Sequence, residues 1–311
     1  MKTRKLSIII PSYNEELNIL NVHKALTEVM EQTNYDYELI YVDNASEDNS
    51  YQIFKKLAQQ DKHTKIIRYS RNFGYQMALK GGLDYASGDG VIFIDGDLQD
   101  PPSLILEFIE KWEEGFDVIY GVRKKRKGNK LRRAFYKIFY RLINKLSDIQ
   151  LPVDAGEFGL IDKKIAEILK NLPEVNLYLR GLRAWCGFKQ VGIEYLRDDR
   201  ELGTTKFNFY RNLKLAFDGI TGFSTKPLEL IFHTGIFCIF LSLVLMIYSF
   251  FIKFFSTQTG ISGWASLLIA VVFFGGVQLF SIGVLGEYIG RLFTEVKDRP
   301  KYIVSEIMKS E

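Results

Sequence analysis

The chain opens on a short apolar run, Leu6 to Ile10, cut off by Pro11 and a polar stretch. A run of that length, bounded by proline, predicts a buried strand. Helical spacing takes over from Leu17 to Met30, a second apolar run from Tyr37 to Val42 ends in DNASEDNS, and Ser50 to Gln60 is helical again. The alternation continues with a strand over Lys65 to Tyr69, a helix over Tyr75 to Ala86, a turn at Gly88 and Gly90, and a strand over Val91 to Ile94. Strands alternating with helices predict an α/β fold with a Rossmann-like, doubly wound, mostly parallel sheet. Such sheets hold ligands outside the carboxyl ends of their strands. Three of those ends carry the polar loops PSYNEE, DNASEDNS and DGDLQD, which are expected to converge on one crevice.

Past Pro102 the pattern predicts an amphipathic helix over Leu104 to Trp112 and a strand over Asp117 to Tyr120. Arg123 to Lys145 then carries lysines and arginines with no acid, and Leu131, Phe135, Ile138, Phe139 and Leu142 recur at helical spacing. A helix that is basic on one face and apolar on the other suits a membrane surface. LPVDAGEFGLIDKKIAEIL reads as loop then helix, and AWCGFKQVGIEYLRDDRELGTTKF as paired strands with a polar loop.

The last third changes character. From Leu230 to Ile252 the one ionisable residue is His233, and from Ala265 to Gly286 there is none. Each run matches the roughly 20 residues a helix needs to cross a bilayer. The predicted organisation is an α/β domain over 1–227, two transmembrane helices within 228–291 (about 230–252 and 265–289), and a tail over 292–311. Lys206, Arg211, Lys214 and Lys226 precede the first span, Arg291, Lys297, Arg299 and Lys301 follow the second, and the linker holds Lys253. That bias places both termini and the domain on the cytoplasmic side of a plasma membrane. Trp264 fits an interfacial anchor, Glu287 and Arg291 are spaced to pair, and Gly275, Gly276, Gly283 and Gly286 allow close helix packing in a homo-oligomer.

Composition adds limits. With 311 residues, 47% hydrophobic and 25% charged, the chain can bury one α/β core and carry something more. A formal net charge of +4 does not indicate nucleic acid. Two cysteines, Cys186 and Cys238, far apart in sequence and the second within an apolar run, make no disulfide framework or CxxC metal site, and a reducing compartment is the default. The apolar run near the N-terminus is too short for a signal peptide.

Candidate chemistry centres on FIDGDLQDPP. Asp95 and Asp97 occupy alternate positions past a strand end, so both can face one point. Two carboxylates with no Lys or Arg in the motif call for a cation, and oxygen ligands suit Mg²⁺ or Mn²⁺ completed by substrate phosphates. Gln99 can add a carbonyl oxygen, while Asp100 has no role here beyond capping the next helix. A solvated acidic loop has the same local composition, so the pair is informative through its context.

Together SIIIPSYNEE, VDNASEDNS, DGDLQDPP and GVLGEYIGRLFTEVKDRPKY resemble the family-2 inverting glycosyltransferases of GT-A fold, over nearly the whole chain. More narrowly the chain is similar to the polyprenyl-phosphate hexosyltransferases, a group that includes bactoprenol glucosyltransferases and dolichol-phosphate mannose synthases. The resemblance implies transfer of one hexose from a nucleotide sugar to a polyprenyl phosphate, with UDP-glucose ahead of UDP-N-acetylglucosamine and GDP-mannose. It implies that Pro11, Tyr13, Glu15 and Asp43 bind the nucleotide, and that Asp95, Asp97 and Gln99 hold the metal and diphosphate. It places Asp154 near the sugar and acceptor as base or orienter, and Arg123, with Arg132 or Arg133, at the lipid phosphate. Arg200 and Lys206 match a loop closing over the phosphates. Two positions depart from the family pattern: Asn44 stands where a second acid is usual, and Gly159 where an arginine is frequent.

Other readings remain open at this level. A processive polysaccharide synthase of the same fold usually carries QxxRW and more spans, and neither is visible. A non-catalytic nucleotide-sugar-binding scaffold is opposed by the intact acids. A dinucleotide dehydrogenase is opposed by the missing GxGxxG after the first strand.

Overall fold

A computed structural model describes residues 4–124, 155–175, 177–196, 225–255 and 264–309. The first half follows the alternation as β1 (Lys5–Ser12), α1 (Ile19–Met30), β2 (Asp36–Asp43), α2 (Ser50–Gln60), β3 (Thr64–Tyr69), α3 (Tyr75–Asp84) and β4 (Gly90–Phe93). β1 pairs in parallel with β2 on one side and β4 on the other, and β3 extends the parallel set beyond β2. Helices cover both faces, so these strands are buried end to end rather than at alternate residues. Leu6, Ile8 and Ile10 share one core with Val22, Leu26 and Phe54, and Ile9, Ile40 and Ile67 share a second with Leu79 and Leu83.

The second half comprises α4 (Leu104–Glu113), β5 (Val118–Arg123), β6 (Ala155–Asp162), α5 (Lys163–Lys170), α6 (Leu179–Trp185), β7 (Gln190–Tyr195), α7 (Lys226–Phe255), α8 (Trp264–Val296) and β8 (Val304–Lys309). Among the described residues the sheet runs β7-β5-β6-β4-β1-β2-β3-β8. The sheet is mixed: β6 is antiparallel to both β4 and β5, and β8 is antiparallel to β3.

Local expectations meet the structure at three places. AGEFGLID is a central strand, not a loop; two glycines and a glutamate hide its β character, and ladders on both sides impose it. Among the described residues the stretch from Ala184 finishes α6, turns at Gly187 (φ 75°), and supplies one strand, β7, which pairs in parallel with β5; the rest of it lies outside the described residues. The C-terminal tail adds a strand that the pattern did not announce. α8 continues to Val296, and β8 returns to close the sheet edge, with Ile66 opposite Met308 and Ile67 opposite Ile307. The basic amphipathic segment lies outside the described residues from 125 onward.

α7 and α8 contain stretches of 23 and 27 residues, Lys226–Tyr248 and Ala270–Val296, long and apolar enough to cross a membrane. None of either apolar window is buried by the rest of the chain. Arg291 Nε donates to Glu287 Oε1 at 3.1 Å, as their spacing predicts. The end of α8 is tied to the domain: the backbone N–H of Val175 donates to Glu295 at 2.9 Å, and Lys301 Nζ donates to the carbonyl of Leu172 at 2.6 Å. The Tyr302 ring stacks on Tyr69 at 4.8 Å, and its hydroxyl donates to Asp84 at 2.8 Å.

At the opposite end of the strands, Glu38 is 6% exposed. Its Oε1 accepts from the hydroxyls of Ser7 (2.6 Å) and Ser87 (2.8 Å) and from the N–H of Ser87 (2.8 Å). Oε2 faces Lys5 at 3.4 Å and Lys65 at 3.5 Å. Burial pushes the carboxyl up, but these hydrogen bonds and Lys65 outweigh it and hold it at about 2 against an ordinary 4.5. A folded value below the unfolded one stabilises above the unfolded value and is lost as pH falls. Wild type should therefore lose about 3 kcal/mol between pH 4.5 and about 2. Glu38→Gln should start less stable at pH 7 and show a flatter acid profile in that window, read by thermal unfolding across pH.

Candidate functional site

The loops after β1, β2 and β4 meet at the carboxyl ends of their strands, as the pattern predicts. They enclose a cavity of about 330 Å³ lined by Pro11, Ser12, Tyr13, Glu15, Asn44, Asn72, Gly74, Tyr75, Ala78, Asp95, Gly96 and Asp97. Each of the three loops carries a non-glycine residue in the left-handed region: Asn14 (φ 55°), Ala45 (φ 60°) and Leu98 (φ 54°). Such a conformation costs about 1–3 kcal/mol for a residue like Leu98, and clustering of this strain is characteristic of working sites.

The first two loops are laced together. The N–H of Asn14 donates to Ser46 Oγ at 3.0 Å, that of Glu47 to Asn14 Oδ1 at 2.8 Å, and that of Glu15 to Ser50 Oγ at 3.0 Å. Glu16 and Asp48 complete the lacing through the backbone of Asn49 (2.9 Å) and of Glu16 (3.2 Å). Acid-rich loops thus spend much of their charge on each other's N–H groups. The Glu15 carboxylate accepts from Asn18 Nδ2 at 2.6 Å.

Asp43 does not line the cavity: it is fully buried, with Oδ1 accepting from the N–H of Ser46 at 2.9 Å. Its Oδ2 lies 3.6 Å from Arg68 Nε and has no hydrogen-bond partner among the described residues. Asn44, where the family pattern usually has an acid, uses both ends of its amide: Nδ2 donates to Asn72 Oδ1 at 2.9 Å and Oδ1 accepts from the N–H of Phe73 at 2.9 Å. A carboxylate there could not make the first bond. Asn44 therefore shapes the loop that leads through Gly74 (φ 95°) into α3.

Asp95 and Asp97 both face the cavity. The N–H of Gln99 donates to Asp97 Oδ1 at 3.2 Å, whereas the Gln99 side chain is not on the wall. Among the described residues no group of three or more His, Cys, Asp or Glu side chains could hold a metal ion. The Asp95–Asp97 pair fits an ion that takes its remaining oxygens from substrate phosphates and water, as Mg²⁺ and Mn²⁺ do.

Tyr75 has no conspicuous signal in the sequence. Its ring is 42% exposed, while its hydroxyl turns inward and donates to Asp95 Oδ1 at 2.6 Å. Burial of the hydroxyl, then the charges of Asp95 and Glu157, hold this phenol well above its ordinary value, so it remains a donor. Beside it, Glu157 Oε1 accepts from Gln76 Nε2 at 3.2 Å and lies 3.7 Å from Arg180 Nε.

Gly159 is answered by the fold. A Cβ there would lie 2.4 Å from the carbonyl oxygen of Ile119 and 3.3 Å from Arg183 Nη1. Arg183, from α6, brings its guanidinium into that neighbourhood and donates to the carbonyls of Glu157 (3.4 Å) and Gly156 (3.2 Å). A buried cation at this place is thus supplied by another element.

Arg123, at the end of β5, is 3.4 Å from Asp100 Oδ2 through Nη2 and donates from Nε to the Tyr195 hydroxyl at 3.2 Å. Burial lowers the guanidinium's affinity for its proton, and Asp100, Tyr195 and Asp95 more than restore it, so the net shift is upward. Asp154, Arg132, Arg133, Arg200 and Lys206 lie outside the described residues.

Comparison with known proteins places these features in context. The pattern for glycosyl transferase family 2 matches residues 7–169, and that for the GtrB C-terminal hairpin matches residues 226–292. An uncharacterized glycosyltransferase, YkcC of Bacillus subtilis, is 47% identical over 96% of this chain and 93% of its own. The bactoprenol glucosyl transferase of Shigella phage SfII is 40% identical over 97% of this chain and 98% of its own. Among solved structures, glucosyl-3-phosphoglycerate synthase from Mycobacterium tuberculosis, bound to Mn²⁺, UDP-glucose and phosphoglyceric acid, aligns at TM-score 0.47 and 18% identity over 70% of this chain and 78% of that one. That likeness is too remote to transfer a ligand.

Proposed function

This chain belongs to glycosyl transferase family 2, and from that premise we propose that it transfers one glucose, with inversion, from UDP-glucose to the phosphate of a polyprenyl phosphate at the cytoplasmic membrane face. One observation carries the reading. The strand that follows the apolar hairpin, β8, closes the same sheet whose strand ends build the carboxylate-walled cavity. The end of α8 is tied to the domain at Val175 and Leu172 and continues into β8, which supports a hairpin whose ends lie on the side of the cavity. A nucleotide-sugar crevice is thereby held beside the surface where a lipid phosphate lies. The bactoprenol glucosyl transferases at about 40% identity supply the acceptor class and the sugar.

In this reading Asp43, whose Oδ2 faces Arg68 but makes no hydrogen bond among the described residues, takes an N–H on the edge of the base, and Pro11, Tyr13 and Glu15 line the nucleotide's path. Asp95 and Asp97 hold a divalent ion, Mg²⁺ or Mn²⁺, with Gln99 turning its side chain inward to join them. Bound there, the ion offsets the charge that builds on the diphosphate leaving group. Tyr75 fixes the orientation of Asp95. The acceptor phosphate oxygen is already anionic near neutral pH. It attacks the anomeric carbon as the bond to the nucleoside diphosphate breaks, and no strong base is needed. Asp154 then orients sugar or acceptor, and Arg123, Arg132 and Arg133 offset repulsion between two phosphate-bearing substrates. Arg200 and Lys206 supplement the charge on the leaving diphosphate. The two spans and the basic segment after Arg123 keep the domain at the membrane, and the small residues of α8 allow subunits to pack.

Purified full-length protein, given undecaprenyl phosphate with UDP-glucose, UDP-N-acetylglucosamine or GDP-mannose, should yield a lipid heavier by one hexose with UDP-glucose. Product from another donor, or a lipid carrying many sugars, would overturn the donor or the single-transfer assignment.

A further inference from the structure

Asp100 follows the metal loop and is 1% exposed. A buried carboxylate needs charged or hydrogen-bonded partners. Its Oδ1 accepts from the hydroxyl of Tyr195, its Oδ2 faces Arg123 Nη2 at 3.4 Å, and Arg123 Nε donates back to the Tyr195 oxygen at 3.2 Å. The three side chains close a triangle that joins the carboxyl ends of β4, β5 and β7. Two glycines leave room for it. A Cβ at Gly121 would lie 2.7 Å from Tyr195 Cε1, and one at Gly156 would lie 3.1 Å from Arg123 Nη2. A helix cap would not require this geometry.

A guanidinium has five N–H donors in a fixed plane. Here Nε and one Nη2 hydrogen are held by Tyr195 and Asp100, which sets the plane, while Nη1 has no partner among the described residues. The Arg123 side chain is 32% exposed. One edge is therefore anchored and the other is presented.

We propose that Asp100 and Tyr195 are positioning residues that aim Arg123 at the phosphate of the lipid acceptor. This rests on the transfer reading above and deepens it. Without the pair, Arg123 keeps its charge but loses its direction. Orientation, rather than charge, is what the triangle supplies, so the cost falls on acceptor binding and spares the donor.

The test uses the full-length enzyme in detergent with short-chain polyprenyl phosphate. Tyr195→Phe removes both hydrogen bonds with little change in volume. It should raise the acceptor KM about tenfold, the scale of one lost hydrogen bond to a charged group. Donor KM and kcat should stay within about twofold. Asp100→Asn should move the same constant. In an Arg123→Ala background, Tyr195→Phe should add nothing, because the residue acts through Arg123. An acceptor KM within about twofold of wild type in either single variant, equal loss for both substrates, or additivity in the double variant would overturn the proposal. Absence of transfer by the wild-type enzyme would instead remove the reading on which it rests.

Discussion

Asp97→Asn is expected to lower the rate of sugar transfer by about a thousandfold or more with the fold intact. The cavity wall carries the Asp95–Asp97 pair, with Glu15 also on the lining, and among the described residues no three His, Cys, Asp or Glu side chains form a metal cluster. Asparagine keeps the shape of Asp97, and its amide oxygen can still accept from the N–H of Gln99, so the turn through Leu98 should survive. What is lost is one of the two negative charges of the Asp95–Asp97 pair. The wall then cannot balance a divalent ion together with a diphosphate. Two measurements separate charge from fold: Mn²⁺ titration calorimetry in the presence of UDP, where binding should disappear, and thermal unfolding, where the shift should stay within about 1 kcal/mol. Near wild-type transfer by the variant with metal supplied would remove the ion from the site.

Deleting residues 304–311 should cost about 3 kcal/mol of domain stability, the scale of several ladder hydrogen bonds. β8 pairs with β3 from Lys65 to Tyr69, and its removal leaves the β3 edge open to other chains. Ser305 Oγ donates to the carbonyl of Arg68, and Glu306 accepts from the Tyr51 hydroxyl at 2.7 Å. Arg68 stacks over Tyr51 at 3.7 Å and faces Asp43 at 3.6 Å. The deletion therefore loosens one flank of the nucleotide pocket as well as the sheet edge. The variant should unfold at lower temperature and aggregate more readily, read by light scattering on heating. An unchanged unfolding temperature would mean that β8 adds nothing to the sheet.

The first half of the fold was legible because each element there obeys one local rule. Leu6 to Ile10, Tyr37 to Val42 and Lys65 to Tyr69 are apolar runs of strand length, and Ser50 to Gln60 has helical period. The strands missed or mispaired, β6, β7 and β8, share a different property. Gly156 and Gly159 weaken β6, and VSEIMK is half polar, so neither announces itself by propensity. Their conformation is imposed by the ladders they join.

By itself the sequence determined the α/β class, the convergence of three polar loops, the paired carboxylates and the two apolar spans. Each of these depends on residues close together in the chain. Tertiary structure alone decided four things. It put Asp100 in a triangle with Arg123 and Tyr195, and turned the Tyr75 hydroxyl onto Asp95. It gave the place beside Gly159 to Arg183, and brought the C-terminus back to edge the sheet. The physical reason is common to all four. A buried charge or an open strand edge must find a partner, and the partner that satisfies it is chosen by proximity in space, which sequence separation does not encode.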